Sequence, residues 1–526
     1  MPNPHRMSAA GFLALVLAST ACTGQGGSSV PLEARAASGI SAAEVSDVPE
    51  DWDVREVAPG LLVYEGEVVS GEQPGWSVSV TAGQDWFRSR AEADGLASEL
   101  IERGSPAVVT EILWPEVFAQ AGQVLGWKVL LEERYPSRSA ADAGAGVLAA
   151  EGWYPSVEWA GAEPYEDYQQ ARVALAVIDP AEFGGHAYAT YGSGIDSAST
   201  VSEMAGEEGA LLAVNGGFFV MNEEDGVPGT PAGAGVYGGR LESEATDGRA
   251  AVVMEGDGLS PSFVEISTKV TVSVGGLVHQ TDGVNRVPGV RRNCVDPDRP
   301  TLVPLHDVTC LLDSELVLFT DAFRGSTPET DGTEAVVDAT GKVVSLGTPG
   351  TRVPSGGYAL QGKGEEALWL EEHARVGASF GVDVQVIGAD GQELSVGPTT
   401  SIVNAGPRLL SGGRVSIDAE ASGLVHPHDP RFAYGWVLRD NPRMAIGVDA
   451  HDRLLLLGAS GRTPGESDGF GIDGIAELIR DLGAVEAVAL DGGGSVSMVL
   501  DGEPVLVGVP GEGERKVGDA IVVRAG

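Results

Sequence analysis

Between residues 76 and 161 the hydrophobic pattern switches twice between a period of two and a period near 3.6. "WSVSVTAG" (76–83) alternates as a strand does, "DWFRSRAEADGLASELIERG" (85–104) has helical spacing and ends on Gly, and "PAVVTEIL" (106–113) is a strand again. "WKVLLEERY" (127–135), "SRSAADAGAGVLAAEG" (137–152) and "YPSVEWAG" (154–161) repeat the series. The doubling predicts a ferredoxin-like βαββαβ module over 61–160, four strands with two helices on one face. A linker, 161–171, follows around "GAEPYEDYQQ".

From 172 to 526, Gly and Asp-Gly turns punctuate short strands. Two helices are expected there, one near Ser199–Glu208 and one in "IDGIAELIRDLG", where Ile472, Ile475, Ile479 and Leu482 share a face. The fold class is therefore α+β, the small module preceding a larger strand-dominated α/β domain with a subdomain near 280–350. Residues 23–49 are small and polar without periodicity, so 22–60 reads as a tether.

The start of the chain adds a destination. His5 and Arg6 precede an apolar run from Ala9 to Ala18 and then Ser19-Thr20-Ala21-Cys22, which is a signal peptide over 1–21 with a run too short to span a bilayer. It resembles a bacterial lipoprotein signal in which Cys22 is lipidated, although Ser19 stands where that pattern usually has Leu; a soluble secreted product cut at the same bond is the alternative. Either way the protein is exported, to the outer face of the cytoplasmic membrane, the cell wall or the medium. Cys294 and Cys310 are then the two remaining cysteines in an oxidising compartment, and a disulfide between them is expected. No CxxC occurs and the eight histidines show no metal-ligand spacing, so neither a metal nor another cofactor is expected.

Charge narrows the partners. With 33 basic against 76 acidic residues, net charge −43, nucleic acid is not expected as a partner, nor is an anionic membrane surface, leaving a lipid anchor as the one membrane contact. An anionic ligand has to be held by a few local arginines and backbone N–H groups.

Three stretches carry candidate chemistry. "ALDGGGSVSMVLDG" (489–502) places Asp491 at a strand end before Gly492, Gly493, Gly494 and Ser495; no helix and no GK[ST] follows, which excludes a P-loop. Its N–H groups suit an anion nest with Ser495 and Ser497 as further donors; a tight turn capped by Asp491 is the alternative. "LLAVNGGFFV" (211–220) repeats the design with Asn215, Gly216, Gly217 and Phe218, where Asn suits hydroxyls and an aromatic face suits a sugar ring, or the phenylalanines are core. "NPRMAIGVDAHDRLLLLGASGR" (441–462) reads as a hairpin bracketed by Arg443 and Arg462.

Two resemblances follow from these residues. The duplicated module is similar to a SPOR domain, which implies binding to wall glycan strands stripped of their peptides. "NGGFF", "PRMAIGV" with the later "GR", and "LDGGGSVSM", in this order, resemble the phosphodiester glycosidase family, supported by "LVLFTDAFRGSTPETDGTEAVV" (316–337), "VPSGGYALQGKG" (353–364), "NAGPRLL" (404–410) and "ERKVGDAIVV" (514–523). The likeness spans about 172–524. It implies hydrolysis of a sugar joined through its anomeric carbon to a phosphodiester, with Asp491, Asn215 and Arg443 catalytic, and with Gly216, Gly217, Phe218, Arg324, Arg408, Arg462, Gly492, Gly493, Gly494 and Ser495 binding substrate. The three glycines are then bare because phosphate or sugar approaches their N–H groups. A phosphodiesterase breaking the P–O bond and a wall protein binding sugar-phosphate without turnover remain open alternatives.

Overall fold

The computed structural model describes residues 48–81, 83, 89–295 and 300–526. The signal peptide, Cys22, most of the tether and the first residues of the helix expected over 85–104 lie outside the described residues.

The largest sheet has eight strands in the order Asp53–Ala58, Leu61–Gly71, Tyr168–Ile178, Leu454–Ala459, Arg443–Asp449, Ala484–Ala489, Arg408–Ser411, Arg414–Val415. Every neighbouring pair is antiparallel. Its central strands read as continuous apolar runs because both faces are covered: on Tyr168–Ile178, Val173, Leu175 and Val177 enter one core while Ala174, Ala176 and Ile178 enter the other. Over the first face lies the helix Ile472–Asp481, whose Ile472, Ile475 and Ile479 are buried, each contributing about 1.5–3 kcal/mol. Against the second packs a five-stranded sheet ordered Glu503–Val507, Ser497–Leu500, Leu212–Asn215, Ala520–Arg524, His186–Thr190, covered on its outer side by the helix Val201–Glu208. Helix, sheet, sheet and helix thus form four layers. Residues between 235 and 404 build a further lobe, in which a seven-stranded and a five-stranded sheet enclose a third core.

The strands Trp76–Thr81, Ala107–Leu113, Val124–Leu131 and Tyr154–Trp159 form a separate antiparallel sheet, second strand beside third, third beside first, first beside fourth. The helices Arg90–Glu102 and Arg138–Ala150 pack on one face of it. Two expected boundaries are corrected here. Part of the presumed tether, Asp53–Ala58, and the presumed start of the module, Leu61–Gly71, belong to the large sheet, and Leu61–Gly71 pairs residue for residue with Tyr168–Ile178, so that the linker end at 171 falls inside a strand. The physical reason is that Leu61, Leu62, Val63 and Tyr64 are all buried, two on each face, and require cover on both sides. The small sheet is consequently an insertion between two adjacent strands of the large one.

The helix Glu365–His373 and the helical stretch from Pro430 to Leu438 were not signalled by spacing: Ala367, Leu368, Trp369 and Leu370 run consecutively. Among the described residues no helix is long and apolar enough to cross a membrane. Cys294 and Cys310 are joined by a disulfide with a separation of 16 residues. Replacing both by serine is expected to lower stability by about 3 kcal/mol through loop entropy, read as a lower melting temperature without loss of secondary structure.

Candidate active site

The strand Ala484–Ala489 delivers Asp491, and a short 3-10 turn, Gly493–Ser495, leads into Ser497–Leu500. The two glycine-rich turns are clipped together by Asn215, which is buried. Its Nδ2 donates to the Asp491 carbonyl at 2.8 Å and to the Gly216 carbonyl at 3.3 Å, while its Oδ1 accepts from Ser497 N at 3.1 Å. Both amide protons are spent on main chain, so the structure places Asn215 as the residue that positions the loop, not as a donor facing a ligand. Asp491 N completes the clip by donating to the Gly216 carbonyl at 3.1 Å.

The Asp491 carboxylate accepts from Gly492 N at 2.9 Å and is hydrogen-bonded by the Ser495 hydroxyl. Burial pushes its carboxyl up to about 7, with Asp307 adding to the rise and the two hydrogen bonds and Arg515 opposing it. The group therefore changes charge near neutral pH.

Two of the three glycine N–H groups expected to face an anion are taken up within the protein. Gly492 N–H is taken by Asp491 itself and Gly493 N–H donates to the Pro442 carbonyl at 2.9 Å. What comes close to the bare backbone is a set of side chains and one carbonyl. A Cβ on Gly492 would lie 3.0 Å from the Pro442 oxygen, one on Gly493 3.1 Å from Nη2 of Arg462, and one on Gly494 2.3 Å from Nη2 of Arg515. Gly493 also sits at φ +61°, the left-handed region. Gly492 thus faces the Pro442 carbonyl, while the guanidinium groups of Arg462 and Arg515 lie over Gly493 and Gly494. Arg515 is exposed, and it is not among the residues that the sequence singles out, although "ERKVGDAIVV" is one of the stretches that carry the resemblance. The Ser497 hydroxyl donates to Glu514 at 2.8 Å and so anchors the segment carrying Arg515.

Gly216 and Gly217 are bare for the same kind of reason. A Cβ on the first would lie 2.4 Å from Oδ1 of Asp519, and one on the second 2.4 Å from the Asn404 carbonyl. Asp519 accepts from Gly217 N at 2.9 Å and from the Tyr237 hydroxyl at 2.7 Å, and burial raises its carboxyl to about 6. Asn404 grips Phe218 at both main-chain groups. The Phe218 ring stands 4.4 Å from His306 and 5.9 Å from Trp436, giving an aromatic wall. Arg249 Nη1 donates to His306 Nδ1 at 2.6 Å, and burial and that cation keep the imidazole neutral.

Arg443 is buried. Its Nε donates to the Phe470 carbonyl at 2.8 Å and its Nη2 to the carbonyls of Trp436 at 2.7 Å and Arg439 at 3.2 Å, with the guanidinium 5.3 Å from the Trp436 ring. Among the described residues Nη1 has no hydrogen-bond partner. Burial lowers its pKa to about 9, against the opposing pull of Asp440. Met444, the next residue on the strand, points to the opposite face and is core. Arg462 lies across Gly493, held by Asn441 Oδ1 at 3.0 Å.

Two expected ligands are not brought to this loop. Arg408 pairs with Glu486 at 3.2 Å and Glu265 at 3.6 Å and donates to the Phe263 carbonyl. Arg324 is exposed and tied into the Asp196 turn through its N–H, its side chain over Gly194. Among the described residues no group of three or more His, Cys, Asp or Glu side chains is placed to hold a metal ion.

No curated protein matches the chain in sequence. The crystal structure of a Burkholderia pseudomallei protein that bears the name "putative exported protein" is similar over 92% of this chain and 99% of its own, at 27% identity and a TM-score of 0.78. A hypothetical protein from Synechocystis shares the fold at 19% identity and a TM-score of 0.51, over 90% of this chain and 75% of its own. The catalytic domain of zebrafish N-acetylglucosamine-1-phosphodiester α-N-acetylglucosaminidase aligns over 68% of this chain and 78% of its own, at 13% identity and a TM-score of 0.35. The family model for phosphodiester glycosidases matches residues 331–524, the stretch that holds Asn404, Arg443, Arg462, Asp491, Arg515 and Asp519.

Proposed function

We propose that this chain is an exported hydrolase that cleaves sugar-1-phosphodiesters at the C–O bond, releasing free sugar and a phosphomonoester. The observation that carries the reading is one carboxylate, Asp491, flanked by the guanidinium groups of Arg462 and Arg515 laid over Gly493 and Gly494 inside the family segment. A phosphate leaving group is a weak base, so its departure calls for charge neutralisation more than for a strong acid. Arg462, Arg515 and the unoccupied Nη1 of Arg443 supply fixed donors for that role. The sugar, passing through an oxocarbenium-like state, needs a carboxylate to stabilise it, attack it or activate water, and Asp491 is that group. Phe218, with Trp436 and His306, offers the apolar wall for the ring. Asn215 acts indirectly, by holding the two turns in register.

The raised carboxyl of Asp491 gives a pH signature. If the ionised form is the working one, kcat/KM rises as pH passes through about 7 and then levels off. A profile that instead falls through that region would make Asp491 the acid.

Export rests on the N-terminal apolar run and on the name given to the similar Burkholderia pseudomallei protein. Lipidation of Cys22 is checked by mass spectrometry of the native N-terminus. Retention on wall glycan by the inserted, ferredoxin-like module is a further part of the proposal, supported by the duplicated pattern; pull-down of the full chain on denuded and intact glycan tests it. The activity itself is tested by a panel of glycosyl-1-phosphodiesters assayed for released reducing sugar. Release from none of them, by protein that binds them, would favour a sugar-phosphate binding protein.

A further inference from the structure

The inserted module is attached to the large sheet at both ends, by Leu61–Gly71 and by Tyr168–Ile178. Its sheet has a second face, away from its helices, and there Ser77, Ser79 and Lys128 are buried. Lys128 is 5% exposed, Glu163 4% and Tyr434 5%. Lys128 Nζ donates to the Tyr434 hydroxyl at 2.7 Å, to Glu163 at 3.3 Å and to Glu158. The Tyr434 hydroxyl in turn donates to Glu163, and Arg439 Nε pairs with Glu163 at 3.2 Å. Two cations and two carboxylates balance. Burial alone would raise the Glu163 carboxyl, yet Lys128 and Arg439 hold it below its ordinary range.

Tyr434 and Arg439 bound a single π-helical turn, Tyr434–Leu438, closed by Arg439 N–H on the Tyr434 carbonyl at 2.9 Å. A π turn closes with i to i+5 hydrogen bonds, and such turns recur at functional sites. Here the carbonyls of the turn and of Arg439 are used. Trp436 O and Arg439 O accept from Arg443. Gly435 O and Arg439 O accept from Asn441 Nδ2 at 2.9 and 3.1 Å, and Asn441 Oδ1 holds Arg462. Both arginines that flank the Asp491 loop from this side hang on one short turn.

We infer that the inserted segment is a fixed part of the site: Lys128 and Glu163, acting through Tyr434 and Arg439, set the turn that positions Arg443 and Arg462. The functional consequence rests on the reading of those arginines as phosphate-handling groups; the mechanical linkage does not. Lys128, Glu163 and Tyr434 are positioning residues, and their loss should loosen Arg443 in particular.

The test uses the full chain with Glu163→Gln and Tyr434→Phe, both close in shape to the parent, and Gln73→Ala as a control that removes an exposed contact of the same insertion with the Gly465 carbonyl. Hydrogen exchange at the Arg443 Nε–H, followed by NMR in arginine-labelled protein, is compared with the buried Arg286, which is held by Glu244 and Glu315 in the other lobe. The expected result is exchange at Arg443 at least tenfold faster in Glu163→Gln and Tyr434→Phe, with Arg286 unchanged, Gln73→Ala like the parent, and kcat/KM on a cleaved phosphodiester at least tenfold lower. Unchanged exchange at Arg443, or equal acceleration at Arg443 and Arg286, would overturn the linkage. Faster exchange at Arg443 alone, in a protein that cleaves no phosphodiester, would uphold the linkage and reject the hydrolase reading.

Discussion

Asp491→Asn is expected to lower turnover by about 10³-fold or more while the protein stays folded. The amide keeps an oxygen for Gly492 N–H, so the turn survives, but the charge that the sugar cation requires is gone. Stability moves the other way from activity. The folded-state carboxyl is raised to about 7, so the ionised form is disfavoured by the fold, and stability falls as pH rises from the unfolded carboxylate range near 4 toward 7. Asparagine has no such slope. At pH 8 the variant should therefore melt at or above the parent temperature, and thermal melts at pH 5 and pH 8 beside the rate measurement check both halves. Turnover near the parent value in a folded Asp491→Asn would leave Asp491 a turn residue.

Gly494→Ala should lower kcat/KM about 100-fold through a single methyl group. Gly494 has an ordinary φ, so the backbone accepts alanine, but the new Cβ would lie 2.3, 2.5 and 2.9 Å from Nη2, Cζ and Nε of Arg515. The guanidinium must leave. The segment carrying it stays, because Glu514 accepts from the Ser497 hydroxyl and from Ser202 N at 3.1 Å, and the melting temperature should shift by only a few degrees. Arg515→Ala should cost about the same, and the double variant no more than either alone, since both remove one interaction. Additive losses in the double variant would mean that Gly494 faces the substrate directly.

The sequence made the elements legible and left their partners hidden. Period-two alternation and the spacing of Ile472, Ile475 and Ile479 are local signals, and the strands of the inserted module and the helix Ile472–Asp481 follow from them. The pairing of Leu61–Gly71 with Tyr168–Ile178 joins residues about a hundred positions apart, and no local pattern records it. At the site, Asp491 ahead of three consecutive glycines signalled chemistry because glycine runs are costly unless something lies close. What lies close was not legible: a ligand and the guanidinium of Arg515 make the same demand on Gly494. Asn404 and Asp519 escaped notice for a different reason, since their work is to hold Gly217 and Phe218 from beneath. Arg408 and Arg324 illustrate the converse, cations in suggestive stretches that fold toward Glu486 and the Asp196 turn.

In the proposed reaction the bond from the anomeric carbon to oxygen breaks and the phosphate departs between arginines. Hydrolysis of a cleaved sugar-1-phosphodiester in ¹⁸O water separates this from cleavage at phosphorus. The heavy oxygen is expected on C1 of the released sugar and none in the phosphomonoester; heavy oxygen in the phosphate would overturn C–O cleavage and make the protein a phosphodiesterase.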